Sequence, residues 1–122
     1  MISLSSDDIR IVSSIVNWRL NVDGELLSKY DMNDDDSQIL RILLNELGCQ
    51  QRACQFGLDS ILIEIGDRYS CLDGRMQLTS GHLQLIKIAI HQFVGELQHS
   101  PVEIEVVTGF PAARTLELLS RI

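Results

Sequence analysis

Between Ser60 and Thr79 the chain changes its hydrophobic period from that of a helix to that of a strand. This switch limits the fold more than any other feature. "SILIEI" sets Ile61, Ile63 and Ile65 on one side; "GD" follows, then "RYSCL", "DG" and "RMQLT". In the last run Met76 and Leu78 alternate with Arg75, Gln77 and Thr79. Asp-Gly between alternating runs is the strongest short hairpin signal, and Gly-Asp suits the mirror-image turn with glycine first. The spacing predicts an antiparallel three-stranded meander.

On both sides of this window the period is 3.6. Ser5 or Ser6 is placed to cap a first helix, with Asp7 and Asp8 at its positive end. Projected at about 100° per residue, residues 9–27 gather Ile9, Ile11, Ile15, Trp18, Val22 and their apolar neighbours into one arc of about 200°. So wide an arc calls for burial on two sides, by other elements or by a second subunit. A second helix runs from about Asp35 to Leu47, with Gly48 as its stop; "CQQRACQFG" stays open between a turn and a short helical piece. Ser80 starts a third helix that reaches about Gln98. Pro101 opens "VEIEVV", a strand pattern with Val102, Ile104 and Val106 inward and Glu103 and Glu105 toward water. "TGFPAARTLELLSRI" then gives a C-terminal helix with Pro111 at its first position.

The order α-α-β-β-β-α-β-α predicts one α+β domain over residues 1–122, two-layered, with about four helices and a mainly antiparallel sheet of about four strands. That order is similar to the small acidic secretion chaperones, which place a helix, a meander and a second helix around a dimer interface. The likeness is one of element order and carries no motif.

Charge narrows the partners. The net charge is −7, and residues 1–66 carry eleven acids against five bases, while residues 67–122 carry six against five. Nucleic acid and anionic membrane surfaces both demand clustered Lys and Arg, so neither is expected. No apolar run approaches the roughly 20 residues of a membrane span, and "MISLSSDDIR" is not the pattern of a secretory signal. Three cysteines do not make a disulfide framework, and a cytoplasmic location is expected.

The acidic stretch "YDMNDDDSQIL" invites a calcium reading, since Asp31, Asn33 and Asp35 occupy positions 1, 3 and 5 of an EF-hand loop. Position 6 is Asp36 instead of glycine and position 12 is Ile42 instead of glutamate, so the stretch reads as a helix start. For zinc, Cys49 and Cys54 stand five apart without a second pair, and none of His82, His91 and His99 lie at i, i+4. No metal or cofactor is expected, nor a nucleophile motif.

Three surfaces remain as candidates. The acidic window offers Asp23, Glu25, Asp31, Asp34, Asp35 and Asp36 against Lys29 alone, which suits a protein partner with a basic surface. The function expected first is therefore a non-catalytic acidic binding module in the manner of an immunity protein, antitoxin or chaperone. A first alternative is a small-molecule or anion binder, or minor enzyme, using the Thr108–Arg114 turn with Thr108, Gly109 and Arg114. A second is a structural homo-oligomer, a homodimer in the simplest case, joined through Trp18, Arg19, Asp23, Leu85 and Ile88. Arg19 and Asp23 sit four apart inside an apolar arc, and either pair at the edge of the core or set register in an interface. Leu85 and Ile88 point away from the main apolar arc of their helix.

Overall fold

In the computed structural model of the protein, the structure describes residues 2–21, 34–57, 59–72, 74–97 and 99–122. The described elements run β1 (Ile2–Ser5), α1 (Ser6–Leu20), α2 (Asp34–Gln55), β2 (Ser60–Ile65), β3 (Ser70–Leu72), β4 (Arg75–Leu78), α3 (Ser80–Leu97), α4 (Pro101–Thr108) and α5 (Ala112–Arg121). The class is α+β, as the periodicities require. The described residues hold five helices and a four-stranded sheet, with a strand added at the front and a helix where a strand was expected.

The added strand, β1, runs straight into α1 through a capping box. The Asp8 amide donates to the Ser5 hydroxyl at 3.2 Å, and the Ser5 amide donates to the Asp8 carboxylate at 3.0 Å. Ser5, not Ser6, is thus the cap. α1 then becomes the hub, packing against α2, α3 and α4. That explains the wide apolar arc: Ile9, Ile11, Val12, Ile15 and Val16 are all buried, and neighbouring helices of the same chain supply the second side. α1 ends at Leu20; the expected continuation to Leu27 lies outside the described residues.

The sheet has the order β1-β2-β4-β3. β1 is antiparallel to β2 and β3 to β4, whereas β2 and β4 are parallel. β3 and β4 therefore pair as an antiparallel hairpin, as expected, but the simple meander does not form. The central slot goes to β4 because it brings two fully buried side chains, Met76 and Leu78, where β3 brings only half-buried Cys71. Ile2, Ile63, Met76 and Cys71 form one row across the sheet on the helix-covered face. The opposite face is open: Ser3, Leu62, Arg75 and Leu72 are exposed there in the adjacent row.

Three further local expectations are revised. Gly48 does not stop α2, which continues to Gln55. Leu47, Gln50 and Cys54 keep facing the core, and their burial outweighs the roughly 1 kcal/mol that a mid-helix glycine costs. Thr79, not Ser80, caps α3, accepting from the His82 amide at 3.1 Å. "VEIEVV" is helix α4. Pro101 starts it, and Gly109 closes it in the left-handed region (φ 81°), its amide donating to the Glu105 carbonyl at 2.7 Å. Ile104 and Thr108, four apart, are buried, so Val102 and Val106 face outward instead of joining Ile104. Alternating β-branched residues imitate a strand; the two terminal signals decide for a helix.

Candidate functional site

Of the six carboxylates of the acidic window, Asp23, Glu25 and Asp31 lie outside the described residues, while Asp34 begins α2. Asp35 is exposed and Asp36 half-buried in the first turn of that helix. Carboxylates there meet the positive end of the helix dipole, each interaction being worth about 0.3–1 kcal/mol. The helix start is thus where the sequence put it.

The Thr108–Arg114 turn joins two helices, not a strand and a helix. Thr108 is buried, its hydroxyl 2.8 Å from the Ile104 carbonyl and 3.2 Å from the Phe110 amide, which donates to it. With the Gly109 amide bonded to Glu105, two of the donors an anion would use are already engaged inside the turn. Arg114 lies over the Phe110 ring at 5.4 Å, and Arg10 from α1 approaches the same ring at 5.8 Å. Arg114 also faces Asp7 at 3.6 Å. The two guanidiniums therefore clamp the aromatic ring between α1 and α5. Nothing in the local pattern announced Phe110 as their meeting point, because Arg10 is a hundred residues away.

Beside it Asp8, almost fully buried, pairs with Arg121 at 2.9 Å. Burial alone pushes this carboxyl up, but the Ser5 amide, the Arg121 guanidinium and the Ser5 hydroxyl outweigh it and hold it below its ordinary value of 3.8. A folded value below the unfolded one means the stabilisation is complete above the unfolded value and is lost as pH falls through the folded one. The expected result is a thermal midpoint that drops below about pH 4 and drops less steeply in Asp8→Asn, whose side-chain carbonyl oxygen can still accept from the Ser5 amide. Identical acid slopes for the two proteins would contradict this role.

Of the residues assigned to a subunit contact, Trp18 is half-buried and meets Phe93 edge to face at 5.2 Å. Arg19 is 1% exposed and donates from Nε to Gln92 Oε1 at 2.7 Å. Asp23 lies outside the described residues. Leu85 packs partly on the core, and Ile88 is half-buried.

Cysteine chemistry is muted around β3. The Cys71 thiol is pushed up by burial; the Gln50 amide opposes this and Glu46 adds to it, so the thiol stays protonated. Burial, then Cys71 and Glu46, raise the neighbouring Tyr69 hydroxyl well above its ordinary value. Cys54 is half-buried, while Cys49 is exposed with the Arg52 guanidinium 3.2 Å from its sulfur. Among the described residues, no three His, Cys, Asp or Glu side chains converge as ligands for a metal ion. No described helix is long and apolar enough to cross a membrane.

The feature missed from sequence is the outer surface of α4, where Val102 and Val106 stand exposed between Glu103 and Glu105. Recognising the Pro101 and Gly109 brackets would have revealed it. Compared with known protein families, characterised proteins and solved structures, the chain matches none.

Proposed function

We propose that this protein is a non-catalytic binding module for a protein partner with a basic surface, acting in a reducing compartment such as the cytoplasm. The observation that carries the reading is the concentration of negative charge, six acids against Lys29 within residues 23–36 of a chain whose net charge is −7. The exposure of Asp35 at the start of α2 supports it, because a carboxylate facing water is available to a partner. Complementary charge speeds encounter, and added salt removes that gain.

The protein serves as bait for affinity capture from its native source, beside an Asp34→Asn/Asp35→Asn/Asp36→Asn variant. The expected result is a basic protein retained by the wild type at low salt and recovered in smaller amount by the variant. Equal recovery by both baits counts against this window as the contact.

A further inference from the structure

We propose that the outward face of α4 docks an amphipathic basic segment of the protein partner, with an aliphatic ridge on Val102 and Val106 and lysines or arginines on Glu103 and Glu105. This rests on the basic-partner reading and adds a surface that the acidic window does not include. At about 100° per residue, Val102 and Val106 form one ridge, and Glu103 and Glu105 lie about 80° to either side of it. Ile104 and Thr108 occupy the opposite, buried side. Val102 is 71% exposed and Val106 78%, among the most exposed apolar side chains described. Valine is also a poor choice for the water-facing side of a short helix, because its branched side chain loses rotamer freedom there. Folding of the isolated chain gains nothing from it.

The flanking charges select the occupant. Asp7, Asp8, Glu64 and Glu117 each face an arginine, whereas none of the ion pairs among the described residues uses Glu103 or Glu105. A second copy of this chain would set like charges against each other across the ridge. The open face of the sheet differs: between Leu62 and Leu72, Arg75 is matched by Glu64 at 2.6 Å, leaving no charge to be answered. An apolar ridge between two unanswered carboxylates is complementary to an aliphatic stripe between cations.

The test is titration of the full, nitrogen-15-labelled chain with a synthetic leucine–lysine peptide patterned as an amphipathic helix, beside a scrambled peptide of the same composition. Expected are amide shifts concentrated at residues 101–108, weaker binding of the scramble, and roughly tenfold weaker binding by Val102→Ala/Val106→Ala. That variant keeps or raises its thermal midpoint, since alanine is the better helix former; a valine pair needed for the fold would lower it. Shifts confined to the start of α2, equal binding of the scramble, or wild-type affinity in the alanine variant would overturn this docking face and leave the basic-partner reading standing. Failure of both peptides to bind would overturn both. Self-association seen by light scattering and abolished in the alanine variant would assign the ridge to a second copy and refute the proposal.

Discussion

Gln50→Leu is expected to lower the unfolding free energy by about 2–4 kcal/mol, a large effect for a change that preserves most of the side-chain volume. Gln50 is 1% exposed and sits on the core side of α2. Its Nε2 donates to the Leu72 carbonyl at 2.5 Å and lies 3.3 Å from the Cys71 sulfur, while its Oε1 accepts from the Gly74 amide at 2.9 Å. One helical side chain thus satisfies backbone groups at both ends of the β3–β4 turn, where Gly74 holds φ +85°. Leucine would fill the space and leave a carbonyl and an amide without those partners, each loss costing about 1–3 kcal/mol. Urea unfolding measures the total, and amide exchange at Gly74 locates it. A midpoint within error of the wild type would show that water replaces the side chain at no cost.

Phe93→Ala should cost about 3–5 kcal/mol, the range for removing a buried aromatic ring from a packed core. Phe93 has no exposed surface and contacts Trp18 edge to face, so it holds α3 against α1. Because Trp18 is the single tryptophan, its fluorescence reports both the loss of the contact and the unfolding transition. Phe93→Leu, which retains more of the volume, should lose much less. Equal losses in the two variants would mean that the site collapses around alanine and that ring packing is not what joins the helices.

The elements that could be read from sequence are those whose evidence is local. The β3–β4 pairing, the Ser5 cap and the apolar stripe of α3 each rest on residues within a few positions of one another. β1 was missed because four residues with two apolar positions define no period on their own; it becomes a strand only through Ile61 and Ile63 of β2. The parallel pairing of β2 with β4 is likewise decided by which strand of the hairpin buries more, a comparison between segments. α4 shows the reverse case: the local signals at Pro101 and Gly109 are present, but the short β-branched alternation between them imitates a strand.

The site was less legible than the fold. Charge excess is a property of composition and survives without coordinates, so Asp34, Asp35 and Asp36 could be singled out at once. The α4 ridge depends on which side of a helix faces water, and that follows only from the packing of Ile104 and Thr108 on the rest of the chain. Arg10 and Arg114 meeting over Phe110 is a long-range contact of the kind no window reveals.

Recognition through the acidic window is tested most directly by the association rate between this protein and its captured basic partner, measured for the wild type and for Asp34→Asn/Asp35→Asn/Asp36→Asn across a series of salt concentrations. The predicted result is a rate that falls steeply with salt for the wild type and more gently for the variant, the two converging as screening becomes complete. Superimposable salt dependences would contradict recognition through the acidic start of α2.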